Sequence, residues 1–366
     1  MHICVLKERR SQETRVAASP ETVKKMIAMG HTVSVETMAG SESSFMDQAY
    51  ADAGATIAKD SVSALNKADI VLKVQRPIGD GSDNDEIANL PQGCCLIGIL
   101  DSLTETAQID FYKKKKIKAF AMERVPRITR AQSMDVLSSQ SNLAGYRAVI
   151  EAAAEIPRAF PMMMTAAGTI APIRVMILGA GVAGLQAIAT ARRLGAVVSA
   201  FDVRKAAKEQ VESLGATFIE VENDEDAETQ GGYAKETSKE YQKLQADKIH
   251  ETLKKTDIAI TTALIPGKPA PLLITDAMIK DMKAGSVIVD MATASGGNVS
   301  ASKADKTVTV HDVKIIGHSN LASRIGSDAS ALYARNILKF LELITDEKSQ
   351  LNINTEDEIV KAALIS

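Results

Sequence analysis

Several things are scarce in this sequence, and each absence narrows what the chain can be. Three cysteines occur in 366 residues, Cys4, Cys94 and Cys95. That is no disulfide framework. Cys94 and Cys95 are neighbours in the apolar run "CCLIGIL" and read as small buried hydrophobes of a reducing compartment. No apolar stretch reaches the ~18 residues of a membrane span, and the start, "MHICVLKERR", lacks the apolar core of a signal peptide. The chain is therefore expected not to insert into a membrane, which leaves docking onto a membrane partner open. A formal net charge of −3 offers no broad attraction to nucleic acid or anionic lipid. The five histidines are scattered without metal-ligand spacing, so no metal site is expected. None of them falls between His31 and His250.

What is present is 45% hydrophobic and 24% charged. At roughly 100–200 residues per domain the length suggests two domains. In the first third, "HICVLKE", "HTVSVE", "ADIVLKVQ", "GCCLIGIL" and "IKAFAMERV" read as strands. "SPETVKKMIAMG" reads as a helix with Ser19 as cap, Pro20 in its first turn and Gly30 as stop, and "SFMDQAYADAG" as another. Alternation of this kind predicts a parallel sheet with helical crossovers. Nothing in this third has a glycine-rich turn after a strand. The helix "SNLAGYRAVIEAAAEI" ends before Pro157. "FPMMMTAAGTIAP" reads as irregular, with Met162, Met163 and Met164 as core or interdomain packing.

A second strand–helix unit begins at Ile173. The acidic run "EVENDEDAETQGGYAKE" interrupts it and reads as a mobile loop. The tail, "SDASALYARNILKFLELI", reads as an amphipathic helix capped near Ser327 or Asp328 that packs back on the first domain. The expected fold is α/β: two Rossmann-like doubly wound parallel-sheet domains joined by long helices, with a cleft between them. The first comprises 1–137 plus 319–366, the second 138–318. The lysines of "YKKKKIK" suit a helix C-terminus and solvent; a docking patch for an acidic partner is the other reading.

In "IRVMILGAGVAGLQAIATARRLGAVVSAFDVR", Gly179, Gly181 and Gly184 form a GxGxxG turn between an apolar strand and a helix. That context gives the motif its meaning: a tight turn, a close backbone approach to a pyrophosphate, and close helix–strand packing. The helix start offers free N–H groups and a positive dipole end. Asp202 closes the next strand, where a carboxylate accepts from adenosine ribose hydroxyls and repels a 2′-phosphate, favouring NAD(H) over NADP(H). Arg204 pulls the other way, since an arginine there can hold a 2′-phosphate. The loops "ALIPG" and "MATASGG" leave strands at the ligand edge; each either approaches the nicotinamide half or merely connects.

The stretch "RVPRITRAQSMDVLSSQSNLAGYRAVIEAA" gathers Arg124, Arg127, Arg130, Gln132, Asp135 and serines ahead of a helix. By composition this is a cap and a solvated loop. An Arg/Gln/Asp set also matches the one acceptor and two donors of a carboxamide.

Across "KERR", "RVAASPETVKK", "KVQRP", "RITRAQSMD", "SSQSNLAGYRAV", "MMMTAAGT", "GVAGLQAIATA", "GGYAKE" and "ITTALIPGKPAP" the chain resembles the NAD(H)-binding component of proton-translocating NAD(P) transhydrogenase, its domain I or soluble alpha subunit. The resemblance runs over nearly the whole chain. It implies a Si/Re-specific enzyme in which NADH bound here exchanges hydride with NADP(H) on a partner subunit, while a membrane-spanning subunit couples transfer to proton movement. It implies a homodimer, peripheral on the cytoplasmic face of the inner membrane through its partners. It makes Arg127, Gln132 and Asp135, with Ser138 nearby, the groups that hold the nicotinamide, and places Tyr233 on a loop that closes over the nucleotide. Gly181, Val182, Asp202, Val203 and Arg204 match adenosine and pyrophosphate contacts; Gly232, Gln245 and Leu264 match further nucleotide contacts. Two departures fall near the cofactor edge: "MATASGGN" lacks an acidic residue usual in that loop, and Ala322 stands where proline is common.

The wider superfamily includes alanine dehydrogenase, which places an arginine, a lysine and a histidine around its substrate. Arg15 and Lys73 match the first two. The histidine position falls at about Ile99. An amino-acid dehydrogenase needs a group titrating near neutrality to move protons, and isoleucine cannot serve; Arg15 and Lys73 then read as structural charges near an unused cleft. A self-sufficient NAD-dependent amino-acid dehydrogenase is therefore the alternative rather than the leading expectation, and a nucleotide sensor without chemistry is a third.

Overall fold

A computed structural model describes residues 1–79, 85–221, 238–265 and 267–366. The chain divides into two units, Met1–Gln140 with Ala322–Ser366, and Ser141–Leu321.

The first unit is built on a six-stranded parallel sheet. Its strands are β1 (His2–Val5), β2 (Thr32–Glu36), β3 (Thr56–Ala58), β4 (Ile70–Gln75), β5 (Cys95–Ile99) and β6 (Lys118–Ala121), in the order β3-β2-β1-β4-β5-β6. Alternate residues feed two cores, as a sheet covered on both faces requires. Ile3, Val5, Ile70, Leu72 and Ile97 join one; Cys4, Leu6, Val71, Leu96 and Ala119 join the other. Burial pushes the Cys4 and Cys94 thiols up to about 12, so they behave as hydrophobes.

The helix Pro20–Ala28 has its predicted cap, Ser19 accepting from Thr22 N–H and Thr22 answering in a capping box. The tail helix Gly326–Leu343 packs into the first core, with Phe340 edge-on to Phe120 at 5.2 Å between ring centroids. Its start falls close to the expected Ser327 or Asp328, but neither side chain caps it. The helix starts at Gly326 directly from a 3-10 turn, Ala322–Ile325, with no side-chain cap, so Ser327 and Asp328 lie inside it. Lys115, in the lysine run, closes another helix end: its ammonium donates to the carbonyls of Ile87, Ala88 and Leu90 at 3.3, 2.6 and 3.1 Å.

The second unit opens with a hairpin, β7 (Met163–Thr165) and β8 (Gly168–Ile170). The sequence reads as irregular here because no alternation exists: every hairpin residue is exposed. Met162, Met163 and Met164 are 60, 45 and 80% exposed, which corrects their assignment to packing. The main sheet follows: β9 (Arg174–Leu178), β10 (Val197–Phe201), β11 (Thr217–Phe218), β12 (Ile258–Thr261), β13 (Val287–Asp290), β14 (Thr307–Val310) and β15 (Val313–Ile316). The order is β11-β10-β9-β12-β13-β15-β14, parallel except for β14. Two cores again share its residues, Val175, Ile177, Ile258 and Val289 against Met176, Leu178, Ala259 and Ile288.

Both sheets thus reverse strand order beside their first strand, between β1 and β4 and between β9 and β12. A doubly wound sheet binds its ligand at such a switch point, past the carboxyl ends of the strands.

Candidate functional site

The glycine turn of the second unit has the shape its sequence predicts. Gly179 has φ +104°, and a Cβ on it would stand 2.5 Å from the Thr262 hydroxyl. A Cβ on Gly184 would stand 1.8 Å from the Gly179 carbonyl oxygen, so helix and strand meet only through glycine. A Cβ on Gly181 would meet nothing within 4 Å. That open face lies at the start of the helix Val182–Arg193, which no side chain caps. Helix N-termini leave N–H groups without intrahelical partners. Here the open face beside them fits a pyrophosphate.

Asp202, one residue past β10, is 8% exposed. Its Oδ2 accepts from Ala180 N–H at 2.7 Å, tying it to the glycine turn. The Arg204 guanidinium forks onto the same carboxylate, Nε to Oδ1 at 2.9 Å and Nη2 to Oδ2 at 2.8 Å, and the Arg204 N–H adds 2.9 Å. The two residues whose preferences oppose each other are therefore one ion pair. Val203 between them and Val182 at the helix start are half-buried.

On the other side of the switch point, Thr262 Oγ1 donates to the Gly179 carbonyl at 2.9 Å, so the loop after β12 touches the glycine turn. Leu264, two residues on, is 49% exposed. Gln245 sits on the buried face of the helix Lys239–Leu253 with Tyr241, Ile249 and Leu253. Gly232 and Tyr233 lie outside the described residues, as does most of the acidic run. Two residues here escaped the sequence reading. Asp290, fully buried, accepts from the N–H groups of Ala292, Asn298 and Val299 at 3.0, 3.0 and 3.2 Å. Asn298 donates to the carbonyls of Ala263 and Pro271. Asp290 ends a strand and reads as part of it; its carboxylate is spent on the loop beyond.

In the first unit, the polar stretch is a 3-10 turn, Thr129–Met134, leading into the helix Val136–Glu155. The helix begins five residues before the predicted "SNLAGYRAV" start, so Ser138 is helical rather than in a loop. Asp135 supplies the reason: its Oδ1 accepts from Ser138 N–H at 2.8 Å and its Oδ2 from Ser138 Oγ at 2.6 Å. The capping reading is therefore true of Asp135. Arg130 is held by Asp357 at 2.6 Å and Glu358 at 3.5 Å. Arg127 and Gln132 are exposed.

Family models for the alanine dehydrogenase/PNT N-terminal and C-terminal domains match residues 4–144 and 148–366. The chain belongs to the alanine dehydrogenase/PNT family. Within it the chain is 55% identical over 369 aligned residues to the first part of the NAD(P) transhydrogenase alpha subunit of Rhodospirillum rubrum, covering all of this chain and 96% of that one. A solved transhydrogenase from Sinorhizobium meliloti superposes with a TM-score of 0.89 at 50% identity, over 100% of this chain and 98% of the other. The alanine dehydrogenase of Halomonas elongata is 28% identical, over 98% of this chain and 91% of its own length.

The alanine dehydrogenase side of the family draws attention to Arg15 and Lys73. Both are buried and both are already paired inside the chain. Arg15 Nη2 meets Glu13 Oε2 at 2.6 Å, and its Nη1 donates to Gln140 at 2.8 Å. Burial alone would raise the Glu13 carboxyl, but the Arg15 charge and hydrogen bonds from Arg15 and Gln75 hold it down at about 2. Lys73 Nζ meets Glu86 at 2.7 Å and Glu8 at 3.3 Å, with Glu86 also paired to Arg9 at 3.1 Å. Burial pushes Glu8 up to about 7 against the opposing pull of Lys73. Among the described residues no helix is long and apolar enough to cross a membrane, and no group of His, Cys, Asp and Glu is placed to hold a metal.

Proposed function

We propose that this chain is the NAD(H)-binding alpha component of a proton-translocating, Si/Re-specific transhydrogenase. It passes hydride between NADH and NADP held on a partner subunit, while a membrane-spanning subunit couples transfer to proton movement. The observation that carries this is the full-length similarity to a transhydrogenase alpha subunit, joined to a glycine turn whose carboxylate, Asp202, suits an unphosphorylated ribose.

NADH supplies the hydride from its nicotinamide C4 and leaves as NAD⁺ as the partner's NADP⁺ becomes NADPH. The chain's task is to bind and aim. The N–H groups at Gly181 and Val182 receive the pyrophosphate. Asp202 holds Arg204 from a 2′-phosphate, and because Ala180 and Arg204 take all four of its lone-pair sites, it receives a ribose hydroxyl as the Arg204 fork gives one up. Arg127, Gln132 and Asp135, with Ser138, hold the carboxamide. Asp135 uses some of its acceptor capacity on Ser138, and an ionised carboxylate has about four lone-pair sites. Transfer between two nicotinamides moves no proton through the protein, so no side chain titrating near neutrality is needed; orientation and a dry gap suffice.

Against a small amino-acid substrate stand Glu13, Glu8 and Glu86, which already neutralise Arg15 and Lys73. A homodimer accords with the exposed apolar hairpin at Met163–Ile170, since exposed apolar patches mark interaction sites. The complex would sit on the cytoplasmic face of the inner membrane through its partners. The test is to mix the purified chain with an NADP(H)-binding partner subunit and follow hydride from NADH. Transfer in the mixture alone is expected; NADH made from alanine and NAD by this chain alone would sink the proposal.

A further inference from the structure

Two loops leave the carboxyl ends of β12 and β13, and one buried side chain joins them. Asn298 is 0% exposed. Its amide nitrogen donates to the Ala263 carbonyl at 2.9 Å, in the loop after β12, and to the Pro271 carbonyl at 2.8 Å, where that loop returns. Both donors of the amide are used, and the oxygen finds no partner among the described residues. Two carbonyl acceptors fix which end of the amide faces them.

Asn298 is itself anchored. Asp290 accepts its N–H at 3.0 Å, and its carbonyl accepts from Leu273 and Ile274 at 2.8 and 3.0 Å. The loop between Asp290 and Asn298 is closed by Gly296 and Gly297, both with positive φ, and a Cβ on Gly297 would stand 2.8 Å from Asp290 Oδ2. Ala270 N–H adds a further tie, donating to the Ser295 carbonyl at 2.7 Å. An internal carboxylate, two glycines at positive φ and one asparagine thus tie the two loops together.

The direction of the nucleotide says what those loops serve. Asp202 fixes the ribose of the adenosine half beside β10, and the glycine turn fixes the pyrophosphate beside β9. The chain of the dinucleotide then continues past the switch point, over β12 and β13. We propose that Asn298 is a positioning residue: by tying Ala263 and Pro271 to the loop at 291–297 it sets where the nicotinamide end lies, without touching the adenosine half. This rests on the NAD(H) assignment made above. It also gives a physical reason for the amide. A carboxylate at 298 would face two carbonyl oxygens with no donor, and an aliphatic side chain would leave both carbonyls unpaired.

The experiment compares NADH with ADP-ribose, which keeps the adenosine, pyrophosphate and second ribose but has no nicotinamide. In the full chain, Asn298→Ala should weaken NADH binding while ADP-ribose binds as before. With the partner subunit present, the maximal rate should fall further than binding alone explains, because misplacement by about 1 Å can cost on the order of 100-fold. Asn298→Ser keeps one donor for two acceptors and should fall between wild type and alanine; it also serves where the alanine variant folds poorly. Equal loss of NADH and ADP-ribose, or no change in either NADH binding or rate, would overturn the positioning role. A wild-type chain that binds neither ligand would instead overturn the cofactor assignment.

Discussion

The two units share a strand order and differ in what stands at the switch point. In the second, a glycine turn leads from β9 straight into a helix, and the space beside Gly181 is left open. In the first, β1 is followed by a long loop whose side chains turn inward: Glu8 accepts from Val74 N–H of β4 at 2.6 Å, and Lys73 stands between Glu8 and Glu86. Tyr333, from the tail helix, donates to the Lys73 carbonyl at 2.8 Å and closes the same region. One sheet keeps its ligand edge empty with glycine and a helix start; the other fills it with ion pairs. Topology alone therefore does not make a nucleotide site. The residues that follow the first strand decide it.

The sharpest way to break this contrast is to put a side chain into the glycine turn. Gly184→Val places a Cβ where only 1.8 Å is available to a backbone oxygen, so the turn must open. The expected loss of stability belongs with the exceptional substitutions, above about 4 kcal/mol, and NADH binding should vanish with it. Gly181→Ala is its control. Nothing stands within 4 Å of the new methyl and φ is negative, −77°, so the denaturation midpoint should hold while NADH affinity falls. If affinity also holds, the open face is not where the pyrophosphate lies.

The filled edge should answer to charge rather than to volume. Lys73→Met leaves Glu8 and Glu86 buried without their shared cation, and breaking a buried pair costs about 3–5 kcal/mol. Adding Glu8→Gln to Lys73→Met should recover some of that loss in urea unfolding, because Glu8 is the carboxylate stranded without Lys73, whereas Glu86 keeps Arg9. Equal losses in the single and double variants would mean that packing, not charge, holds this region.

A titration refines the same point. The Glu8 carboxyl sits at about 7 instead of 4.5 because burial disfavours its charged form. Between those values the folded chain holds a proton that the unfolded chain has released. Stability from this group is complete below pH 4.5 and is lost as pH rises through 7, by up to about 3 kcal/mol. Glu8→Gln should flatten that region of the stability–pH curve. An unchanged slope would assign the effect elsewhere.

The sequence was most legible where one residue type had one physical use. Gly179, Gly184, Ser19 and Pro20 each sit where turn geometry or capping demands them, and the strands of both sheets fall on their apolar runs except β3 and β14, short edge strands of three and four residues that the sequence reading misses. It was least legible where a side chain serves a partner remote in sequence. Asp290 and Asn298 hide inside a strand and a glycine-rich loop, because nothing local says that one carboxylate will gather three N–H groups. Arg15 and Lys73 match the cations of an amino-acid dehydrogenase and, without its histidine, read as structural charges, but only folding shows that Glu13, Glu8 and Glu86 are their partners. The methionine hairpin was missed for the opposite reason: with every residue exposed, it carries no pattern of burial to read.

The smallest predicted effect concerns the polar stretch before the helix Val136–Glu155, where a cap and a site contact compete for one residue. Asp135 accepts both the N–H and the hydroxyl of Ser138, so Asp135→Ala should cost about 1 kcal/mol in stability, the usual worth of a lost N-cap. Asparagine caps about as well as aspartate, so Asp135→Asn should unfold with the wild-type midpoint. What asparagine removes is a negative carboxylate and some of its acceptor capacity. If Asp135 serves only the helix, Asp135→Asn will transfer hydride at the wild-type rate in the reconstituted enzyme. If it also holds the nicotinamide, transfer will fall well before NADH affinity does, because the adenosine half and its contacts at Asp202 are untouched. The pair of variants thus separates the two roles at a single residue, one by melting and the other by rate.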